Sequence, residues 1–257
     1  MQNNDLLLQY NSEFLNDEPV ELFDGIVIYP VIMHDYIKFS LSSSVLKINK
    51  NDTNDPKIIS MSYLDYLIYL IREENKESNE ESVRLISNLL VMLISLVLRE
   101  DNPEIGYGTD EKGKNYIKIN GVLLYKKEFE KMRYFILYQN IPDYSEKYIN
   151  PELEKDLRKA EEIRNRGKKP CDIEKQEMAV VIGSSLTLED VKKMTIRKFY
   201  IALEMIDKKL SYTMLKTAEL SGFVTFKEEI VHYLVEKEDN EYNVIDYDQF
   251  KNQINNS

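Results

Sequence analysis

Apolar residues recur every three or four positions in the segment between residues 194 and 222. One stripe of a predicted α-helix holds five of them, namely Ile196, Phe199, Leu203, Ile206 and Leu210. The positions between them are largely charged. Stripes of this kind usually face the protein's own interior, so the pattern predicts a helix packed against the core. An exposed face that docks a partner is the alternative.

Residues with capping chemistry mark the ends of this helix and the starts of two others. Thr195 is a predicted N-cap, because its hydroxyl can accept a hydrogen bond from an amide of the first turn. Gly222 is a predicted C-cap, because glycine tolerates a positive φ angle. Two further helix starts have the spacing of a capping box: Ser62 with Asp65 and Thr187 with Asp190.

The most hydrophobic segment of the chain is VRLISNLLVMLISLVL, at residues 83–98. Arg84 and Arg99 bound the run, and the polar residues Ser87, Asn88 and Ser95 interrupt it. Its apolar length falls short of the roughly 18 to 20 residues that are needed to cross a bilayer. The segment is therefore predicted to be a buried core helix and not a membrane span.

Two dipeptides predict tight β-hairpins. Asp24-Gly25 lies between VELF and IVIYPV, and Asn120-Gly121 lies between YIKI and VLLY. Both dipeptides suit the positive φ angles of a two-residue hairpin turn. Residues 101–115, DNPEIGYGTDEKGKN, are predicted to form a glycine-containing acidic loop. Because helices are predicted over most of the remaining chain, the expected fold class is mainly α with two short β-hairpins (α+β).

Composition divides the chain into four predicted segments. Residues 1–145 form an N-terminal α+β domain, and residues 146–170 form a densely charged helical connector. Residues 171–238 form a helical C-terminal domain, whose last predicted helix is FKEEIVHYLVEK. Residues 239–257 are acidic and Asn-rich and are predicted to be a flexible tail.

Charge and composition argue against several classes of function. The 257 residues carry a net charge of −11, which opposes binding to a phosphate backbone, so no nucleic-acid binding is expected. The single cysteine, Cys171, allows neither an internal disulfide nor a cysteine-rich zinc site and suits a reducing cytoplasm. His34 and His232 do not form a ligand-spaced pair, so no metal site is predicted. The opening residues lack the features of a signal peptide.

The remaining candidates for chemistry have simpler explanations. Gly106-Tyr107-Gly108 and Gly113-Lys114 look like a phosphate-binding loop only loosely, because Asn115 follows the lysine where a P-loop needs Ser or Thr. Asp52 and Asp55 lack the ligand spacing of a calcium loop. The sequence therefore predicts a non-enzymatic protein without a cofactor.

Five stretches of the chain resemble a group of phage- and prophage-encoded proteins of low-GC Gram-positive bacteria. They are IYPVIMHDYIKF from Ile28, IISMSYLDYLIYL from Ile58, INGV from Ile119, NPEL from Asn150 and MTIRKFYIALEMIDKKLSYTMLKTAELSGFVTFK from Met194. The group is similar to tail assembly chaperones and related tail-morphogenesis proteins. The resemblance implies a protein of the host cell cytoplasm that binds other tail proteins, such as the tape measure protein. It assigns no functional residue to this chain.

If the regular stripe is core, the surface for such a partner lies on other helices. Phe226, Ile230 and Tyr233 on the last predicted helix are the first candidates. Tyr63 and Tyr66, on the Tyr-rich helix after the first capping box, are the second. Apolar and aromatic side chains grouped on a helix suit the binding of another helix.

Two other functions stay open. The chain is longer than many tail assembly chaperones, which fits a structural tail or baseplate component that is retained in the virion. A small-molecule enzyme whose site is scattered through the sequence is the second alternative. Assembly of the chain into a homo-oligomer is compatible with the chaperone and with the structural component.

Overall fold

The protein is mainly helical with two small antiparallel sheets, which confirms the predicted fold class. The structure is a computed structural model that describes residues 9–50, 55–77, 85–142, 144, 159–160, 163, 166–167, 171–226 and 228–235. By their contacts, the residues divide into two compact units, Met1–Leu203 and Glu204–Ser257.

The elements within the described residues are as follows in chain order. The helices are α1 Asn11–Asn16, α2 Tyr36–Ser42, α3 Pro56–Ser60, α4 Tyr63–Glu77, α5 Leu85–Leu98, α6 Lys126–Asn140, α7 Ile173–Gly183, α8 Leu188–Lys193 and α9 Ile196–Leu220. The strands are β1 Val20–Phe23, β2 Ile26–Ile28, β3 Ile105–Thr109, β4 Asn115–Ile119 and β5 Val122–Leu124. Two 3-10 turns, Met33–Asp35 and Ser43–Leu46, flank α2.

Both predicted hairpins are confirmed. β1 pairs with β2 around Gly25, which has a φ angle of 81°. β4 pairs with β5 around Asn120 and Gly121, whose φ angles are 47° and 87°. In the second hairpin, positive φ at both central residues meets the requirement of a type I′ turn, whose twist matches that of the strands it joins.

The predicted loop at residues 101–115 is wrong, because β3 and the start of β4 lie within it. The two strands pair from Ile105 opposite Ile119 to Thr109 opposite Asn115, so the second sheet has three strands in the order β3-β4-β5. Gly108 permits this pairing, since a Cβ atom there would lie 2.6 Å from the hydroxyl oxygen of Tyr116. The Tyr116 ring covers the bare backbone of the edge strand.

Replacing Gly121 with alanine is expected to lower the free energy of unfolding by about 1–2 kcal/mol, because its positive φ angle is strained for a residue with a Cβ atom. Urea denaturation measures the loss. Gly106→Ala is the matched control in the same sheet, since its nearest atom would be 4.0 Å away and its φ angle is not positive. Equal losses in the two variants would contradict the assignment of a left-handed turn.

The predicted helix caps are confirmed. The Ser62 hydroxyl accepts from the backbone N–H of Asp65 at 3.1 Å, at the start of α4. Thr187 and Asp190 form a reciprocal capping box at the start of α8. At the two ends of α9, Thr195 Oγ1 accepts from the N–H of Lys198 at 3.3 Å, and Gly222 has a φ angle of 72°.

The core of the first unit is built around three helices. α4 packs against α5 and α6, and α5 also packs against α2. The apolar side chains that these helices bury include Leu64, Leu67, Ile68, Ile71, Leu90, Leu93, Ile94, Val97, Phe129, Met132, Phe135 and Ile136. The most hydrophobic segment of the sequence is therefore a core helix, as predicted. Among the described residues, none of the helices combines the length and the apolarity needed to cross a membrane.

One charged side chain, Arg133 of α6, lies inside this core and is only 2% exposed. Its Nε donates to the carbonyl oxygen of Leu46 at 2.7 Å, and its Nη1 lies 3.4 Å from Glu130 Oε2. Its guanidinium lies 3.9 Å from the centre of the Tyr63 ring. Arg133 thus connects α6 to the start of α4 and to the second 3-10 turn.

The start of α9 belongs to the first unit. The N–H of Met33 donates to the carbonyl of Met194 at 2.8 Å, and the N–H of Ile196 donates to the carbonyl of Val31 at 2.9 Å. Phe199, one turn into the helix, is fully buried. These bonds join residues more than 160 positions apart and make the compact unit extend through Leu203.

This division differs from the predicted domain boundaries, which separate residues 171–238 from residues 1–145. Residues 171–203 fall in the same compact unit as the N-terminal part of the chain. The predicted tail at 239–257 lies outside the described residues, and so does most of the predicted connector at 146–170.

Candidate protein-binding surface

The second unit presents large apolar side chains to solvent. We name as the α9 apolar surface five exposed residues from the end of α9 and just beyond it: Leu210, Met214, Leu215, Leu220 and Phe223. Met214 is 72% exposed, Leu220 is 85% exposed and Phe223 is 94% exposed. Single exposed apolar residues are ordinary, but a group of this size on one short segment is typical of an interaction site.

The regular stripe of α9 changes its role along the helix. At its start Ile196 and Phe199 are buried, which confirms the predicted core packing there. Leu203 and Ile206 are half-buried, and Leu210 is 58% exposed, so the core prediction is wrong for the last member. Met214 lies one turn beyond Leu210 on the same side of the helix and continues the stripe as an exposed face.

The last predicted helix, FKEEIVHYLVEK, is wrong over its described part. Residues 223–226 and 228–235 are non-helical, and a short turn forms where the N–H of Val235 donates to the carbonyl of His232 at 2.9 Å. The positive φ angle of Gly222 ends the preceding helix. A segment of about 12 residues is also a marginal helix in water unless packing stabilises it, and the described apolar residues of this segment are exposed or half-buried.

The segment after Gly222 instead packs on one side of α9. The Tyr212 ring lies 5.0 Å from the His232 ring and 5.8 Å from the Tyr233 ring, centre to centre. The backbone N–H of Leu234 donates to Nδ1 of His232 at 3.2 Å. Residues two positions apart on a helix point about 200° apart, so Leu210 and Met214 face away from Tyr212. The chain therefore covers the Tyr212 side of α9 and leaves Leu210 and Met214 open.

Charge on the covered side of α9 is neutralised locally. Lys216 Nζ donates to Glu219 Oε2 at 2.9 Å. This hydrogen bond, together with the charges of Glu219 and Glu229, raises the pKa of the Lys216 ammonium. On the preceding turns, Lys208 pairs with Glu204 at 2.6 Å. Both pairs lie on the Tyr212 side of the helix, whereas Leu210 and Met214 lie on the other side.

The five residues predicted to bind a partner are divided between the two units. Phe226, Ile230 and Tyr233 lie together on the segment after α9 and are half-buried. Tyr63 and Tyr66 are 5% and 4% exposed and lie in the core of the first unit. They therefore present almost no surface to a partner.

Tyr63 is held in the core by hydrogen bonds as well as by packing. Its hydroxyl donates to the carbonyl of Val45 at 2.7 Å and accepts from the N–H of Ile48 at 2.8 Å. Burial raises the pKa of the Tyr63 hydroxyl. A partner surface on this helix would need exposed rings, and these polar partners hold the Tyr63 ring in the core instead.

Sequence reasoning missed Met214, Leu215, Leu220 and Phe223. Extending the apolar stripe beyond Leu210 would have found Met214, which lies four positions on. Phe223 comes just after the predicted C-cap, where the chain leaves the helix and a large apolar side chain has no helical face to join.

The structure also locates the residues that the sequence offered as candidates for a phosphate loop, a reactive thiol and a metal site. Gly113 lies in the turn between β3 and β4, where Asp110 accepts from the N–H groups of Lys112 and Lys114, so this segment is a hairpin and not a P-loop. Cys171 is exposed. Within the part of the chain that the structure describes, no three His, Cys, Asp or Glu side chains are close enough together to hold a metal ion.

Comparison with protein-family models, with curated proteins and with solved structures finds no match to this chain.

Proposed function

We propose that this chain is a non-enzymatic protein that binds other phage tail proteins during tail assembly, in the manner of a tail assembly chaperone. The tape measure protein is the proposed partner, and the host cell cytoplasm is the proposed place of action. A chaperone of this type needs no catalytic residues. It needs a surface that shields aggregation-prone helices while the tail grows.

The observation that carries the proposal is the α9 apolar surface. Its five side chains lie within residues 210–223, and Leu210 and Met214 form one exposed turn of helix. Apolar faces of this kind bind amphipathic helices by burying the apolar side of both partners. Burial contributes about 25 cal/mol for each Å² of apolar surface removed from water, so exposed Leu, Met and Phe side chains are effective anchors.

The double variant Leu210→Asp/Met214→Asp is expected to lose binding to the tape measure protein in a pull-down from cells that express both proteins. Both side chains are exposed, so the thermal unfolding curve should stay almost unchanged. Ile182→Asp is the matched control, because Ile182 is an 80% exposed apolar residue on α7, outside the surface. Normal binding by the double variant would contradict the proposed surface.

The stage at which the protein acts separates the chaperone from the structural alternative. A chaperone should be found with its partner in infected-cell lysate and be absent from purified particles. A fixed copy number in purified particles would instead favour a tail or baseplate component. Mass spectrometry of lysate and particles from one infection makes this measurement.

A further inference from the structure

A cleft of about 710 Å³ lies in the first unit. It is formed where the β3–β4 turn, the start of β4 and the first turn of α6 meet near the start of α4. Its lining consists of four lysines, three carboxylates, Gly113, Asn115 and Tyr125. The volume is within the range of about 300–1,000 Å³ that is usual for small-molecule sites.

Two of the carboxylates hold the cleft together. Asp110 Oδ1 accepts from the N–H groups of Lys112 and Lys114 at 2.9 and 2.8 Å and fixes the turn. Asp65 Oδ1 accepts from Asn115 Nδ2 at 2.8 Å, which connects α4 to β4. Asp110 also lies beside Tyr125. Burial is the main cause that raises the pKa of the Tyr125 hydroxyl, and the Asp110 carboxylate is the next.

The hydrogen bonds continue behind the cleft wall. The Thr109 hydroxyl donates to Asn115 Oδ1 at 2.9 Å and accepts from Arg72 at the same distance. The cleft is therefore braced between α4 and the second sheet before any ligand arrives. Sites braced in this way lose little free energy to reorganisation on binding.

The four lysines of the lining do not take part in these hydrogen bonds through their side chains. They are Lys112, Lys114, Lys126 and Lys127. All four side chains are exposed, and none forms an ion pair with a described residue. The third carboxylate, Glu128, is half-buried in the first turn of α6. The four lysines of the lining exceed its three carboxylates by one positive charge, in a chain whose net charge is −11.

We propose that this cleft binds a small molecule that carries two or more phosphate groups. Ammonium groups are strong ligands of phosphate oxygens, and four lysines are among the residues that line this one concave space. The first-turn amides of α6 add donors, since the Tyr125 side chain does not cap them. The net charge of −11 opposes the approach of polyanions to the chain as a whole, so binding depends on the local attraction of the four lysines. The site is independent of the proposed partner surface.

Inorganic tripolyphosphate is the probe, and isothermal titration calorimetry on the full chain is the measurement. One tripolyphosphate is expected to bind per chain. Lys112→Ala/Lys126→Ala should weaken binding by about tenfold or more, which corresponds to about 1.4 kcal/mol. Glu128→Gln should strengthen binding, because it removes the carboxylate that has no described partner and would repel the anion.

Lys192→Ala/Lys209→Ala is the matched control, since it removes the same charge from two exposed lysines that are not part of the cleft lining. It should bind tripolyphosphate like the wild-type chain. Equal weakening in the two double variants would show unspecific attraction and overturn the proposal, and so would an absence of binding by the wild-type chain. Binding of a polyglutamate peptide in place of tripolyphosphate would also overturn it and would assign the cleft to acidic segments of proteins.

Discussion

Replacing Arg133 with alanine is expected to lower the free energy of unfolding of the first unit by about 3–5 kcal/mol. The guanidinium is almost completely buried, and its Nε supplies a 2.7 Å hydrogen bond to the Leu46 carbonyl. Truncation removes that donor, leaves a carbonyl oxygen without its partner and takes the cation away from Glu130. It also opens a cavity against the Tyr63 ring.

Urea denaturation measures this loss, and two further variants define its cause. Lys127→Ala removes an exposed cation from the same helix and should change stability by no more than about 0.5 kcal/mol. Arg133→Met fills much of the volume without the charge. It should therefore lose less unfolding free energy than Arg133→Ala, because it keeps packing contacts, but it cannot restore the hydrogen bond to Leu46. If Arg133→Ala and Lys127→Ala behaved alike, the buried position of Arg133 would be wrong.

Replacing Phe199 with alanine should destabilise the first unit by about 3–5 kcal/mol, the usual range for a fully buried phenylalanine. The expected shift in melting temperature follows from roughly 2–4 °C per kcal/mol for a protein of this size. The loss should appear in the same transition that Arg133→Ala affects, because both residues lie in the compact unit that ends at Leu203.

Met214→Ala is the control for this prediction. Met214 lies on the same stripe of the same helix but is 72% exposed, so its truncation should leave stability nearly unchanged. Two separate unfolding transitions, with Phe199→Ala affecting only the later part of the chain, would instead support the domain boundary that composition predicts. Equal effects of Phe199→Ala and Met214→Ala would contradict the change from core to surface along α9.

Features that depend on neighbouring residues could be predicted from the sequence. Capping boxes at Thr187 and Ser62 are set by helix geometry over three residues, and both helices begin where the spacing predicts. The Asn120-Gly121 turn depends on the φ angles of two adjacent residues. The core helix α5 depends on an apolar run that is too short for a membrane.

Features that depend on partners distant in the sequence follow from the packing of the folded chain. β3 exists because β4 pairs with it, and the glycines that suggest a loop are tolerated where the Tyr116 ring covers the strand. Tyr63 and Tyr66 are core residues because other segments supply hydrogen bonds and packing around them, which tyrosine content alone does not indicate.

Dependence on distant partners also explains why the sequence did not predict the α9 apolar surface and the cleft. The stripe of α9 has one period from Ile196 to Leu210, yet only its first part meets the segment at Val31 and Met33 and is buried. The cleft that we propose to bind phosphate groups is lined by residues of a turn, a strand and two helix starts. No single stretch of sequence therefore predicts it. Periodicity identifies an apolar face, but only the packing of the rest of the chain determines which part of that face remains exposed to solvent.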